Sequence, residues 1–322
     1  MHEFEIIKKY FSKLSLNNKS SLNLNDDVFF DKSKKLVISV DTYVEGIHFV
    51  DFKKPDLVIK KIIRSSISDL ICKGVSPKYY FISGSGDKNS FSKKNLNLIA
   101  KSLEQEQKKY SIDLSGGDTV FSKRISFTII SVGFSKNIVF RNKAKLHDDI
   151  YVTGNLGDSF IGLLVLKKKI NLNKDLMKYF KKKYYCPDLQ INLSHKLLSF
   201  ANTSIDISDG LITDLEKMIN KQKLSYNLYL KDIPVSRNLK KLIDSKIIKK
   251  ISSISRGDDY QILFTASASK SRIINKISRS LGIKISKIGK ICNHSQKSQI
   301  FDEKNEINEI IALKNKGYFH KF

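Results

Sequence analysis

Apolar segments with the spacing of a strand alternate with segments that have the spacing of a helix in both halves of the chain. The almost continuous apolar run 36–40 predicts a buried strand. The helical pattern after it begins at Pro55 and runs to about Lys73, where Gly74 ends it. Strands with helices between them are predicted again in the second half, at 149–152, 226–230 and 260–265. This alternation is typical of α/β proteins.

The length of the chain limits how many such units it holds. Its 322 residues are enough for roughly two domains, and an apolar fraction of 41% allows a sizeable core. We expect an α/β (α+β) fold in two domains, residues 1–145 and 146–322, with the boundary close to 140–148. We find no internal sequence repeat.

The chain is strongly basic, with 58 lysines and arginines against 32 acidic residues and a net charge of +26. Such a charge is typical of proteins that bind nucleic acid. The lysines, however, are spread over the whole chain. They cluster only at 167–169 and 181–183 and form no long basic block. We interpret the charge as a compositional bias on solvated faces. A basic nucleic-acid-binding protein remains the alternative from another functional class.

The scarce acidic residues are concentrated beside apolar strands and glycines. These clusters are Asp26-Asp27, Asp41, Asp118, Asp206 with Asp209, and Asp258-Asp259. Carboxylates gathered at turns are the ligands that hard cations such as Mg²⁺ prefer. Asp69 fits the same interpretation, because it borders the apolar face of the helix 55–73 near the negative end of the helix dipole. A salt bridge to a lysine is the alternative at that position.

Two glycine-containing segments carry most of these acids. Ser115-Gly116-Gly117-Asp118-Thr119 lies between two apolar alternations, which predicts strand, tight turn and strand. Gly-Gly-Asp is also common in turns that bind nothing. The segment 204–210 precedes a helical pattern, so Ser208 or Asp209 is a candidate N-cap, which leaves Asp206 unexplained.

The absence of several well-known motifs limits the kinds of enzyme that this chain can be. It has no phosphate-binding loop ending in Gly-Lys-Ser/Thr, no Gly-x-Gly-x-x-Gly fingerprint and no recognisable Ser/His/Asp arrangement. Several Mg²⁺ ions held by carboxylates can bind a nucleoside triphosphate without such a loop. Phosphoryl transfer requires mainly alignment and charge neutralisation. The residues alone therefore indicate an enzyme that uses Mg²⁺ and ATP.

Taken in order, the motifs resemble the thiamine-monophosphate kinase family of the PurM-like ATP-binding superfamily. The matching stretches span nearly the whole chain: 3–7, Asp26-Asp27, 39–49, Ser68-Asp69-Leu70 with Gly74, 116–119, Arg141, 151–158, 206–211, 257–260 and Gly317-Tyr318. Each stretch alone is weak evidence for the family, whereas the complete set in this order is specific for it. Aminoimidazole-ribotide synthetase, of the same superfamily, is the nearer rival enzyme, and the stretch 39–49 favours the kinase.

The resemblance implies a phosphotransferase with a phosphate group as acceptor. It would transfer the γ-phosphoryl group of ATP directly and in line to thiamine monophosphate, giving thiamine diphosphate and ADP. The acceptor oxygen is already ionised, so no strong general base is required. The resemblance also implies a PurM-like two-domain fold, in which residues 1–145 bind ATP and Mg²⁺ and their sheet pairs with that of a second copy in a homodimer.

The same resemblance assigns roles to residues. Several Mg²⁺ ions would be bound by Asp27, Ser39, the backbone of Val40, Asp41, Asp69, Asp118, Asp206 and Asp209. ATP, the co-substrate, would contact Gly117, Asp118, Arg141 and Ser208. Thiamine monophosphate would contact His48, Asp258 and Tyr318, of which Tyr318 suits stacking on a heteroaromatic ring. The catalytic residues would be Asp118, Asp209 and Arg141. Outside this context a lone His or a C-terminal Tyr is usually structural.

Two positions depart from the family pattern. The family's Gly before the first Asp pair is Asn25 here, and Asn also tolerates a left-handed backbone. The family's Gly-Gly-Glu-Asp-Tyr is Arg256-Gly257-Asp258-Asp259-Tyr260, so the carboxylate of Asp258 is one methylene shorter than that of Glu. Gly84-Ser85-Gly86, to which we assign a loop without function, stands where the family usually has a proline-containing segment.

The cysteines and the first residues indicate where such a protein works. Cys72, Cys186 and Cys292 are far apart and form no Cys-x-x-Cys pair, which argues against a zinc site or a disulfide framework. The start of the chain is not a signal peptide, and no apolar run is long enough to span a membrane. We expect a cytoplasmic protein with no membrane partner.

Overall fold

The computed structural model describes residues 3–302, 307–309 and 317–318, and their strands form two sheets. The first sheet consists of β1 (Phe29–Asp31), β2 (Leu36–Val44), β3 (Pro77–Gly86), β4 (Asp113–Phe121) and β5 (Ser126–Phe134). Its strand order is β1-β2-β5-β3-β4. β3 and β4 are parallel, and the other neighbouring strands are antiparallel.

The second sheet has seven strands. They are β6 (Asp149–Thr153), β7 (Thr203–Asp206), β8 (Leu224–Tyr229), β9 (Ile262–Ala266), β10 (Ile285–Asn293), β11 (Gln299–Phe301) and β12 (Ile307–Glu309). Their order is β12-β11-β8-β10-β6-β9-β7, and among the described strands of this sheet only β11 and β8 pair in parallel.

Helices connect and cover both sheets. They are α1 (Glu3–Ile6), α2 (Pro55–Cys72), α3 (Lys93–Tyr110), α4 (Asp158–Leu166), α5 (Lys174–Tyr185), α6 (Ile191–Leu197), α7 (Leu211–Met218), α8 (Arg237–Asp244), α9 (Lys250–Ile254) and α10 (Ser271–Leu281). Further helical turns follow α1 at Ile7–Phe11 and Ser12–Ser15. The expected α/β fold is confirmed, and the division of the chain at residue 145 stays a prediction.

Helix α2 is the element that the two sheets share. Its apolar face is fully buried, as the sequence predicts, and Ile59, Ile62 and Ile63 belong to one core with residues of both sheets. Pro55 stands at its start, where a missing N–H costs nothing, and Gly74 follows it with φ of +81°. Because α2 also contacts β7, side chains near its C-terminal end face the second sheet.

The predicted tight turn at residues 115–119 is wrong. These residues lie within β4, which continues through the two glycines beside β3, with a shift in register at Ser115. A Cβ on Gly117 would lie 1.8 Å from the backbone oxygen of Ile82, so glycine is needed for close strand approach rather than for a turn. The loop expected at Gly84-Ser85-Gly86 is likewise part of β3.

Helix α5 and strand β10 are among the elements that the sequence prediction lacks. Helix α5 has a short apolar stripe of Phe180, Tyr184 and Tyr185 among lysines, and the side chain of Asn173 caps its start. Strand β10 lies at the centre of the second sheet, but its register shifts between Lys287 and Gly289. A bulge of this kind breaks the period of two that identifies a strand in a sequence.

None of the helices in the part of the chain that the structure describes combines the length and apolar character needed to cross a membrane.

Candidate active site

Three carboxylates from different elements meet beside the C-terminal half of α2. They belong to Asp27 in the loop before β1, Asp69 in the last turn of α2, and Asp206 at the end of β7. One oxygen of each lies within 4.8 Å of the others. The sequence predicts all three as ligands of the same metal centre, and the structure brings them together.

The pKa shifts in this cluster have a clear physical cause. Desolvation, with a further contribution from the charges of Asp41 and Asp206, raises the pKa of Asp69 well above its usual value. Burial raises the pKa of Asp206 to about 6, although the hydroxyl of Ser68 donates to its Oδ2 at 2.7 Å and acts in the opposite direction. Buried carboxylates repel one another, and a bound cation relieves this repulsion. The donor set therefore fits a hard metal ion.

Two cationic side chains of the protein already contact this cluster. Lys73 is fully buried, and its Nζ lies 2.7 Å from Oδ1 of Asp26 and 2.7 Å from Oδ2 of Asp27. Arg141 pairs with both oxygens of Asp27, with its Nε 3.1 Å from Oδ2. The sequence predicts Arg141 but not Lys73. The available signal was the position of Lys73 one helical turn after Asp69, on the same face of α2.

The turn between β7 and α7 carries the next predicted residues. The N–H groups of Asp209 and Gly210 donate to Oδ2 of the buried Asp214, at 2.9 and 3.0 Å. The side chain of Asp209 pairs with Lys217. Gly210 is the N-cap of α7 and no side chain caps it, so the capping role considered for Ser208 or Asp209 is wrong. Asp214, which sequence reasoning missed, holds this turn instead.

Two distant segments are hydrogen-bonded to the same turn. The N–H of Asp258 donates to the carbonyl of Ser208 at 2.8 Å, and the N–H of Tyr318 donates to that of Asp209 at 3.0 Å. Gly257 permits this approach, since a Cβ there would lie 2.0 Å from the carbonyl oxygen of Ser208. Residues predicted to contact thiamine monophosphate thus lie directly beside residues predicted to contact ATP and metal.

His48 is connected to this region through buried aromatic and cationic groups. The hydroxyl of Tyr184 donates to the carbonyl of His48 at 3.3 Å, and the Nζ of Lys61 lies 4.1 Å from the Tyr184 ring centroid. Lys61 in turn pairs with Asp258. The His48 ring accepts the N–H of Val44 at Nδ1 (3.0 Å), so the neutral ring carries its proton on Nε2, as a donor.

The predicted residues of the first sheet are divided between two strands. Ser39, Val40 and Asp41 lie on β2, and the hydroxyl of Ser39 donates to the carbonyl of Ser66 in α2 at 3.3 Å. Gly117 and Asp118 lie on β4, at the other side of the sheet.

Asp118 is aligned across the sheet with Thr42, through Thr128 and Ser83. Three strand spacings, about 14 Å, therefore separate β4 from β2 at that level. The side chain of Asp118 is exposed there. Within one chain, the structure does not bring Asp118 to the cluster of Asp27, Asp69 and Asp206.

Comparison with known proteins first identifies the fold. Residues 25–135 match the family model described as AIR synthase related protein, N-terminal domain. The solved structure of AaThiL, complexed with AMPPCP and TMP, superposes on 99% of this chain and 97% of that chain, with a TM-score of 0.85 and 24% identity. The protein is thus an α/β protein of the PurM-like class, with a carboxylate-rich site between its two sheets.

Sequence similarity then identifies the family. The thiamine-monophosphate kinase of Buchnera aphidicola subsp. Acyrthosiphon pisum is 33% identical over 332 aligned positions, which cover 99% of this chain and 98% of that protein. The Haemophilus influenzae thiamine-monophosphate kinase is 32% identical over 275 positions, which cover 82% and 81%. The chain belongs to the thiamine-monophosphate kinase family.

Proposed function

We propose that this protein transfers the γ-phosphoryl group of ATP to the phosphate of thiamine monophosphate, with thiamine diphosphate and ADP as products. The observation that carries the proposal is the hydrogen bonding of the segments of Asp258 and Tyr318 to the turn of Ser208 and Asp209. This turn follows Asp206 directly, so sites for the acceptor, the nucleotide and the metal adjoin. The family membership and the complex of AaThiL with AMPPCP and TMP support the same conclusion.

The metal part of the proposal is that the carboxylates hold several Mg²⁺ ions. Asp27, Asp69 and Asp206 form the core of the site. Asp41 lies close enough to raise the pKa of Asp69 and of Asp206. Ser39, the backbone of Val40 and Asp209 extend the same set of oxygen ligands. When bound, Mg²⁺ neutralises the charge on the transferring phosphates.

The nucleotide is proposed to bind Gly117, Asp118, Arg141 and Ser208. Arg141 is held by Asp27 at the edge of the cluster, where its guanidinium can offset developing charge on a phosphate. Asp209 and Lys217 are paired beside it, so the charge of Asp209 is fixed in place by α7. Arg141, Asp209 and Asp118 are proposed as the catalytic residues.

The acceptor is proposed to bind His48, Asp258 and Tyr318. Nε2–H of His48 is oriented as a donor and suits a phosphate oxygen. The carboxylate of Asp258 suits the positively charged ring of thiamine, and the half-exposed ring of Tyr318 suits stacking on it. Because the acceptor oxygen is an ionised phosphate, these residues need only position it.

A homodimer is proposed to complete the site. β1 pairs with β2 only at residues 36–38, so the edge of β2 from Ser39 to Val44 has no strand beside it among the described residues. All of β4 is exposed, and it is the last strand on the opposite side of the sheet. If β4 of a second copy pairs with the free edge of β2 in the register that aligns Asp118 with Asp41, the carboxylate of that copy joins the site.

The cytoplasm is proposed as the location, since Cys72, Cys186 and Cys292 are all free thiols in the structure. The competing nucleic-acid function predicts tight association that weakens steeply with salt. Filter binding of single-stranded RNA over a salt series separates the two functions. We expect no salt-steep binding at moderate ionic strength.

The deciding experiment follows thiamine diphosphate directly, in reactions with and without Mg²⁺ and with and without thiamine monophosphate. We expect product only when ATP, Mg²⁺ and thiamine monophosphate are all present. ATP binding in the presence of Mg²⁺ without any product would contradict the proposed acceptor, and Asp258 would be the first residue to examine.

A further inference from the structure

Lys73 is the most enclosed cation of the candidate site. It is the C-cap residue of α2, its side chain is 0% exposed, and each of its ammonium hydrogens has an oxygen partner. These oxygens are Oδ1 of Asp26 at 2.7 Å, Oδ2 of Asp27 at 2.7 Å and the carbonyl of Ser204 at 2.8 Å. Two carboxylate oxygens and one carbonyl oxygen are also a donor set that a hard metal ion takes.

The ammonium cannot leave this position without a large cost. A buried lysine that lost its partners would be an uncompensated charge away from water. The surrounding backbone is also tied together, because the hydroxyl of Ser204 donates to the carbonyl of Cys72 at 2.5 Å. Any metal ion that binds Asp27 must therefore share this carboxylate with Lys73 and Arg141.

We infer that Lys73 is a built-in cation of the metal site, an inference that rests on the proposed Mg²⁺-dependent function. Its ammonium takes up the charge of Asp26 and Asp27 and holds this pair in position in the absence of metal. It also sets an upper limit on the affinity for a divalent ion at Asp27, because like charges that share a carboxylate repel. Lys73 is thus a positioning residue that tunes metal binding, with no contact to the reacting phosphate.

The test compares Lys73→Met with Lys61→Met in Mn²⁺ binding and thermal unfolding. Met has an unbranched side chain close in length to that of Lys and carries no charge. Lys61 is the matched control, since it lies on the same helix, is 1% exposed and pairs with a single carboxylate, Asp258, outside the cluster. Free Mn²⁺ is measured by electron paramagnetic resonance during titration of each protein, with no nucleotide present.

For Lys73→Met we expect Mn²⁺ to bind at least about tenfold more tightly than to the wild type. We also expect the metal-free melting temperature to fall by about 5 °C and to be largely restored by Mn²⁺. For Lys61→Met the melting temperature also falls, but Mn²⁺ affinity stays within about twofold of the wild type, and the metal restores nothing beyond its effect on the wild type.

Equal Mn²⁺ affinity in Lys73→Met and the wild type overturns the inference, as does a stability loss that Mn²⁺ does not reverse. If Lys73→Met does not fold, Lys73→Gln, which keeps a donor toward Asp27, is titrated with the same expectation. A wild type that binds no Mn²⁺ overturns the proposed metal site and this inference together, whereas failure of Lys73→Met alone leaves the metal site standing.

Discussion

The Nζ atom of Lys61 lies 2.6 Å from Oδ1 of Asp258 and thereby joins helix α2 to the segment that precedes β9. Lys61 is 1% exposed, while the side chain of Asp258 is 27% exposed. The ammonium also lies over the ring of Tyr184 at 4.1 Å. The proposed acceptor-binding carboxylate is therefore held by a buried cation of α2, the helix that the two sheets share.

Removing Asp258 alone should cost more than removing both partners of this pair. Asp258→Asn leaves a buried ammonium without its carboxylate, and we expect a loss of about 2 kcal/mol, reduced by the partial exposure of Asp258. Lys61→Met removes the cation and leaves an acid that water can reach, so the double variant should resemble Lys61→Met. Urea unfolding of the wild type, both single variants and the double variant measures the coupling. Additive losses would show that the pair contributes no coupling energy.

The same Asp258→Asn variant should separate acceptor binding from nucleotide binding. Asn tolerates the left-handed backbone of this position (φ of +61°), so the turn is preserved. We expect KM for thiamine monophosphate to rise about tenfold or more, with KM for ATP changed little. Asp258→Glu, which keeps the charge, is the matched control and should retain most of the affinity. An unchanged KM in Asp258→Asn would remove this residue from the acceptor site.

Asp69→Asn should make the metal-free protein more stable and the enzyme inactive. The raised pKa of Asp69 means that its charged form is disfavoured in the folded state, and Asn removes that cost. We expect a rise in the metal-free melting temperature of about 2–4 °C and a loss of Mg²⁺-dependent turnover of about 100-fold or more. Thermal scans with and without Mg²⁺ show whether the metal still stabilises the variant. Turnover near that of the wild type would contradict the role of Asp69 in metal binding.

Asp118→Asn should abolish turnover while leaving the fold intact, because the side chain is exposed on the outer strand β4. Asp113→Asn is the matched control on the same strand. Asp113 makes a surface ion pair with Lys78 at 3.3 Å, which contributes at most about 1 kcal/mol. Circular dichroism and turnover are measured for both variants, and Asp113→Asn should behave as the wild type. Near-wild-type activity of Asp118→Asn would refute its proposed role in binding Mg²⁺ and ATP.

Gly117→Ala should disrupt the pairing of β4 with β3, because its Cβ would lie 1.8 Å from the backbone oxygen of Ile82. We expect a loss of about 3 kcal/mol or more in the free energy of unfolding, or local detachment of β4. Gly46→Ala is the control, since its Cβ meets nothing within 4 Å and only the backbone strain of a φ of +78° remains, about 1–2 kcal/mol. Hydrogen exchange of β4 amides distinguishes local from global loss, and equal effects of the two variants would contradict the steric argument.

The pH dependence of stability should include a contribution from Asp158. Burial raises the pKa of Asp158 above its usual value, against the effect of hydroxyl donors from Ser236 at 2.7 Å and Tyr179 at 2.8 Å. A raised folded-state pKa gives stability that is complete below a pH of about 4 and is lost as the pH rises through the folded pKa.

Asp158→Asn, which cannot ionise, should therefore lose less stability than the wild type as the pH rises from about 4 through the folded-state pKa of Asp158. Urea unfolding of both proteins across this range is the measurement. A wild type and a variant with parallel pH profiles would show that Asp158 does not titrate differently in the folded and unfolded states.

Local patterns along the chain determined the α/β fold, the span of α2 and the acidic residues of the cluster. The apolar spacing of α2 places Ile59, Ile62 and Ile63 on one face whatever surrounds the helix, because that face follows from helix geometry. Asp27, Asp69 and Asp206 were recognisable because a carboxylate beside an apolar segment is unfavourable without a partner.

Only the tertiary structure decided which groups meet and which do not. In the sequence, Lys73 is an ordinary lysine at the end of a helix. In the fold, the two sheets pack around α2 and bury Lys73 together with Asp26 and Asp27. The Gly-Gly-Asp segment alone predicts a turn. Glycine is needed at Gly117 because the backbone of Ile82 lies against it, and Ile82 belongs to another strand, which the local sequence does not reveal. Pairings between strands and contacts between sheets join residues far apart in the chain, so no local period encodes them. For that reason the acidic residues of this cluster could be selected from the sequence, and their geometry could not.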